Sequence, residues 1–149
     1  MPLTESRVRQ FLCLWLNREG YNLLDLARDW GHPPRTKGRR GAPTVTPVLP
    51  DIYAKRRGQS YYYYIEAKGD PPTTTAFYNA IGEIQARMGA TTPARYGIGL
   101  PMSFCKTICQ CFTYEAWRNS GVYILLVDGR GTVAELQPTR ANYNHICSR

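Results

Sequence analysis

One segment of the chain carries large, β-favouring side chains on both of the faces that a strand would present. Tyr61, Tyr62, Tyr63, Tyr64 and Ile65 follow one another, and successive side chains of a strand leave opposite sides of the backbone. Such residues on both sides are typical of a strand in a sheet that is covered on both faces. We therefore predict that residues 59–68 form a strand with packed layers above and below it.

Amphipathic helices are predicted before and after this strand. Residues 4–19 place apolar side chains at the i, i+3, i+4, i+7 and i+8 spacing of one helix face. The members of that stripe are Val8, Phe11, Leu12, Trp15 and Leu16. A second helix is expected to begin in the threonine cluster at 73–75 and to run to residue 88. Its stripe consists of Phe77, Ile81, Ile84 and Met88.

The remaining segments complete an α/β order of elements. Residues 48–55 and 59–68 are expected to pair as a hairpin around 56–58, and further strands are expected at 95–100, 122–127 and 132–136. A helix is expected within 103–119, and residues 21–28 form either a strand or a turn. This order predicts an α/β fold with a mixed central β-sheet flanked by α-helices.

The size of the chain indicates a single domain over residues 1–149. Its longest apolar runs, such as 122–127, are far shorter than the ~18 residues that cross a bilayer, so no membrane partner is expected. Five unevenly spaced cysteines in a chain large enough to fold without cross-links favour reduced thiols. We therefore expect a cytoplasmic, reducing location.

The positive charge is concentrated in one stretch. The formal net charge is +8, and residues 31–60 supply +6 of it. Within it, the segment 31–47 is rich in proline and glycine and is predicted to be a long exposed loop. The basic residues of the stretch are Arg35, Lys37, Arg39, Arg40, Lys55, Arg56 and Arg57, against Asp51 alone. This is either the surface of a polyanion-binding protein or a solvated loop kept soluble by its charge.

Three ionisable residues on the predicted hairpin are placed to converge. Glu66 and Lys68 are two apart on one strand, so their side chains leave the same face about 6.6 Å apart along it. Asp51, on the neighbouring strand, reaches that face if the register allows. Clustered carboxylates resist desolvation unless a cation joins them, and Mg²⁺ prefers carboxylate oxygens. The alternative is that both acids pair with Lys68 or Arg56 on an exposed sheet face.

The same residues resemble the signature of a nuclease superfamily. Pro50-Asp51, a spacer and then Glu66-Ala67-Lys68 are similar to the signature of the PD-(D/E)XK, or restriction-endonuclease-like, superfamily. Members commonly add a glutamate on the first helix, where this chain has Glu5, and a glutamine on the inward face of the second, where it has Gln85. The chain departs from some exonuclease-like branches, which place a tyrosine where Gly89 stands.

The resemblance implies a restriction-endonuclease-like core and a metal-dependent phosphodiesterase, expected to act as an endodeoxyribonuclease. It implies that Asp51, Glu66 and the backbone carbonyl of Ala67 bind Mg²⁺, with Mn²⁺ as a substitute. Lys68 would orient or deprotonate a water, Glu5 would hold a second metal or its water shell, and Gln85 would position substrate or nucleophile. The basic residues of the stretch 31–60 would lie beside this site and hold phosphates.

Several alternatives remain open at the level of sequence. The chain could instead be a nucleic-acid-binding subunit of a larger nuclease or recombination complex, without cleavage activity of its own. Glu5 could serve only the positive end of its helix, and Gln85 could be an ordinary polar residue at the edge of the core. DNA is preferred over RNA by analogy alone. Because one active site cuts one strand at a time, we expect a homodimer or a larger assembly.

Overall fold

The computed structural model describes residues 1–24, 51–88 and 93–149. Part of the sequence-based account lies outside the described residues. This part comprises residues 25–28 of the predicted strand or turn, the predicted loop at 31–47 with Arg35, Lys37, Arg39 and Arg40, residues 48–50 of the predicted strand, and Gly89.

A six-stranded mixed sheet forms the centre of the described residues. Its strands are β1 (Tyr21–Leu23), β2 (Ile52–Arg56), β3 (Tyr62–Ala67), β4 (Ala94–Pro101), β5 (Tyr123–Val127) and β6 (Val133–Leu136). They lie side by side in sequence order, with β3, β4 and β5 parallel and the other neighbours antiparallel. The predicted hairpin is the β2–β3 pair.

Five α-helices in the described ranges flank this sheet, so the predicted α/β fold is confirmed. They are α1 (Glu5–Arg18), α2 (Thr74–Gln85), α3 (Cys105–Cys111), α4 (Tyr114–Ser120) and α5 (Arg140–Cys147). The hydroxyl of Thr4 accepts the Arg7 backbone N–H at the start of α1, and Gly20 follows the helix with a φ of 90°. A 3-10 turn, Met102–Phe104, leads into α3.

The two faces of β3 are buried by different helices. On one face Tyr63 and Ile65 pack with α1, whose buried residues are Val8, Phe11, Leu12 and Leu16. On the other, Tyr64 packs in a cluster with α2, whose buried residues are Phe77, Ala80, Ile81 and Ile84. The strand is thus covered on both sides, as the tyrosine run predicts.

The helical layer differs from the prediction in two larger features, and α2 also ends at Gln85, three residues before the expected end at 88. The single helix expected within 103–119 is broken at Phe112, whose backbone is extended, and the hydroxyl of Thr113 then caps α4 by accepting the Ala116 N–H. The helix α5 was not predicted from the sequence at all. Its apolar face is narrow, with Ile146 as its fully buried residue.

The expectation of reduced thiols throughout is wrong. Cys109 and Cys147 form a disulfide that joins α3 to α5, with the Cα atoms 5.7 Å apart. The two residues are 38 apart in sequence, so their proximity depends on the packing of two helices and not on local spacing. Cys13, Cys105 and Cys111 are free thiols.

None of the helices in the described ranges combines the length and the apolar character that a bilayer span requires. The predicted cytoplasmic location stays a prediction.

Candidate active site

The pairing of β2 with β3 brings two acidic side chains together. Ile52 pairs with Ile65, and continuing this antiparallel register by one residue places Asp51 opposite Glu66. Residues opposite one another share a face of the sheet. Asp51 Oδ2 also accepts a hydrogen bond from the Ala67 backbone N–H at 2.8 Å, which fixes the carboxylate at the end of β3. The convergence predicted for Asp51 and Glu66 is therefore present.

Glu66 is a buried carboxylate with an incomplete set of partners. Its side chain is 3 % exposed, on the α2 face of the sheet. Burial raises its pKa to about 8, and the Asp51 carboxylate contributes to that increase while the Arg87 guanidinium opposes it. Within the described residues, Oε1 has no aligned hydrogen-bond donor. A buried carboxylate oxygen of this kind, beside a second carboxylate, fits the ligand chemistry of Mg²⁺.

Lys68 lies two residues after Glu66, so its side chain is on the same face of the sheet. Its ammonium lies 2.9 Å from Glu83 Oε2, and its side chain is 17 % exposed. Burial lowers the pKa of Lys68, but the hydrogen bond and charge of Glu83, together with the charges of Asp51 and Glu5, raise it above its usual 10.5. The charged ammonium is therefore the favoured form beside these carboxylates.

Two residues of the α2 segment belong to this cluster and were missed by the sequence reasoning. Glu83 lies in α2 and pairs with Lys68. Arg87 lies in the turn that follows and places Nη1 2.7 Å from Glu66 Oε1, with its side chain 4 % exposed. The two residues are four apart, and Glu83 directly precedes the buried Ile84. An acid and a base at this spacing beside an apolar stripe were the signal available in the sequence.

Glu5 lies at the rim of the cluster and not in its interior. Its side chain is 42 % exposed and pairs with Arg9 at 3.5 Å, and its charge contributes to the raised pKa of Lys68, so its role at a metal stays a prediction. Arg9 Nη1 is in turn 4.0 Å from Asp51 Oδ1. The start of α1 is held at this edge by Asp70, which accepts the Leu3 N–H at 2.6 Å.

Gln85 does not face the sheet, so its predicted inward position is wrong. The residue is exposed, whereas Ile81 and Ile84 on the same helix are buried. The helical period explains the difference. Glu83 and Arg87 lie on the side of the helix nearer to β3, whereas Gln85, although it is between them in sequence, lies on the outer side.

The basic residues of the hairpin lie at its other end. Because Asp51 directly precedes β2 and Arg56 ends it, Arg56 is about 16 Å along the strand from Asp51. Lys55 lies 6.0 Å from the Tyr62 ring centroid, and Arg57 donates from Nε to Asn22 Oδ1 at 2.9 Å. The prediction that Lys55, Arg56 and Arg57 lie beside the acidic residues is therefore wrong, and their binding of nucleic acid stays a prediction.

A metal at this site would rely on few protein carboxylates. In the described part of the chain, no group of three or more His, Cys, Asp or Glu side chains is arranged to hold an ion. Mg²⁺ is commonly held by one or two carboxylates, with waters and substrate oxygens in its other positions. Asp51 and Glu66 match that smaller ligand set.

Comparison with known proteins supports the fold. No protein-family model and no curated protein matches the chain. A solved structure of an XisH family protein from Nostoc punctiforme is similar to it, with a TM-score of 0.50 and 14 % sequence identity. The match covers 87 % of this chain and 97 % of that one. At this identity the likeness shows a shared α/β fold.

Proposed function

We propose that the protein is a Mg²⁺-dependent nuclease of the restriction-endonuclease-like type, which hydrolyses phosphodiester bonds in DNA. The observation that carries the proposal is the convergence of Asp51 and Glu66 at the end of β3, with Lys68 on the same face. A pure DNA-binding surface gains nothing from a buried acidic pair, because carboxylates repel the phosphate backbone.

The residues would divide the work as follows. Asp51 and Glu66 would hold the ion, with the Ala67 carbonyl as a further oxygen ligand. When bound, Mg²⁺ polarises a phosphoryl oxygen and lowers the pKa of a coordinated water. Lys68 would orient that water through its ammonium and offset the negative charge that develops on the phosphate. Glu83 would fix the direction of the Lys68 side chain.

The direct test is cleavage of linear, circular, single-stranded and branched DNA with Mg²⁺ or Mn²⁺. We expect Glu66→Ala and Lys68→Ala each to reduce the rate by about 10² to 10⁴-fold. The matched controls are Glu115→Ala and Lys106→Ala, which alter an exposed glutamate on α4 and an exposed lysine on α3. Cleavage that survives both site substitutions would contradict the proposal.

A second candidate function is a DNA-binding subunit that requires a partner for cleavage, within a larger complex. The observation favouring it is that the acidic and basic groups already pair with one another, Glu66 with Arg87 and Lys68 with Glu83. Binding of DNA with no cleavage of any substrate in the panel would support this second function. Sedimentation of the protein with and without DNA would test the homodimer expected for double-strand cleavage.

A further inference from the structure

Arg87 is a buried cation whose donors are mostly unused. Its side chain is 4 % exposed, and Nη1 contacts both Glu66 Oε1 and the Glu83 backbone carbonyl. In the described ranges, Nε and Nη2 are buried without a hydrogen-bond partner. A guanidinium has five N–H donors, and a buried donor without an acceptor destabilises the folded protein. The N–H groups of Nε and Nη2 therefore lack an acceptor, and a ligand could supply one.

Arg87 contacts a carboxylate that the proposed function assigns to a divalent ion. It contacts the same Glu66 oxygen that lacks an aligned hydrogen bond, beside the Asp51 carboxylate. A guanidinium and a dication at one carboxylate oxygen repel each other strongly in a buried site. Binding of one at Glu66 therefore excludes the other.

We propose that Arg87 occupies the ion's place at Glu66 while no ion is bound, and that an arriving ion displaces the guanidinium of Arg87, which then binds a phosphate of the nucleic acid. The inference rests on the proposed function. A phosphate matches the planar fork of Nε and Nη2, since arginine binds phosphate oxygens through two parallel hydrogen bonds. Arg87 lies in the turn after α2, so its side chain can change partner without unwinding a helix.

This exchange imposes an order of binding. Until an ion occupies Glu66, Arg87 is buried and committed to that carboxylate. Once the ion is bound, the displaced guanidinium gives the site a positive group for the substrate. Arg87 should therefore contribute to DNA binding in the presence of divalent ions and contribute little in their absence.

The first test measures the binding of Mn²⁺ alone by calorimetry at pH 8.5, because burial raises the pKa of Glu66 to about 8 and a protonated carboxyl binds no ion. Arg87→Met removes the competing cation, and we expect Mn²⁺ to bind on the order of tenfold more tightly or better. Arg87→Lys keeps the charge and should show no such gain. The matched control is Arg95→Met. Arg95 pairs with Glu135 on β6 at 3.0 Å, and this pair lies outside the cluster around Glu66. Unchanged Mn²⁺ affinity in Arg87→Met would overturn the inference.

The second test uses the wild-type protein and does not depend on the folding of a variant. Modification of Arg87 by phenylglyoxal is followed by mass spectrometry. We expect protection without metal, reaction with Mn²⁺, and renewed protection when a non-cleavable phosphorothioate duplex is added with Mn²⁺. Reactivity of Arg87 that is the same in all three conditions would overturn the inference.

Failure of this inference can be told apart from failure of the proposed function. If the wild-type protein cleaves DNA but Arg87→Met gains no affinity for Mn²⁺, the function stands and the role of Arg87 is wrong. If Arg87→Met gains affinity while no substrate is cleaved by the wild type, the exchange at Glu66 stands and the nuclease assignment is wrong.

Discussion

Replacing Glu66 by glutamine should change how the stability of the protein depends on pH. Burial first, and the Asp51 carboxylate in addition, raise the pKa of Glu66 to about 8 in the folded state, against 4.5 as its ordinary value. Between about pH 4.5 and 8 the Glu66 carboxyl therefore keeps its proton in the folded protein, while it loses that proton in the unfolded chain. The contribution of Glu66 to stability is complete below pH 4.5 and is lost as the pH rises through 8.

The magnitude follows from the size of the shift. Each pH unit in this window costs the wild-type protein about 1.4 kcal/mol of unfolding free energy relative to a variant that cannot ionise. The full window gives an upper bound of about 5 kcal/mol. Little solvent screening opposes it, because the Glu66 side chain is 3 % exposed. Glutamine resembles the protonated acid in shape and offers Arg87 the same carbonyl acceptor.

The assay is urea unfolding of wild type and Glu66→Gln at a series of pH values from 4 to 9. The two proteins should be equally stable near pH 4.5, which serves as the internal control, and the variant should be the more stable one near pH 8. Mn²⁺ should reduce the difference at pH 8, because an ion stabilises the charged form of Glu66. A difference that does not vary with pH would refute the reasoning.

Two other predictions concern the scaffold around the site. A Cβ on Gly69 would overlap the backbone of residues 3–5, so Gly69→Ala should lower the unfolding free energy by about 1–3 kcal/mol. In the control Gly82→Ala, inside α2, the added Cβ meets no atom within 4 Å and should raise the unfolding free energy by about 0.5–1 kcal/mol. Thermal unfolding of both variants would check the pair, and equal effects would contradict the close packing of Gly69 against residues 3–5. Cys109→Ser opens the loop of 38 residues closed by Cys147 and should cost about 4 kcal/mol by the chain-entropy estimate. Denaturant unfolding under oxidising conditions measures it, and a stability equal to that of the wild type would show that the disulfide does not form.

The parts of the fold that were predictable are those with a strong local pattern. The apolar stripe of α1 and the two-sided burial of β3 each follow from a helical or strand period, and α2 begins at Thr74, inside the predicted threonine cluster, because the hydroxyl of Thr73 caps it. The break at Phe112 was not visible, because neither glycine nor proline marks it and Thr113 acts through a side-chain cap. The disulfide between α3 and α5 depends on tertiary packing between residues far apart in sequence.

The site was predictable to a similar extent. The spacing of Glu66 and Lys68 places them on one face of a strand, and the hairpin register then brings Asp51 opposite Glu66. Which side of α2 faces these residues depends on its exact rotation on the sheet, so Gln85 was assigned to the wrong side and Arg87 was missed. Strand direction was likewise decisive for the basic residues, since β2 carries Arg56 away from Asp51.

The central claim is that Asp51 and Glu66 share one divalent ion, and anomalous diffraction from crystals soaked in Mn²⁺ tests it most directly. We predict an anomalous peak that places Mn²⁺ within bonding distance of both carboxylates, and a guanidinium of Arg87 that no longer contacts Glu66. A Mn²⁺-saturated crystal with no peak between the two carboxylates, and with the Arg87–Glu66 pair intact, would contradict the account.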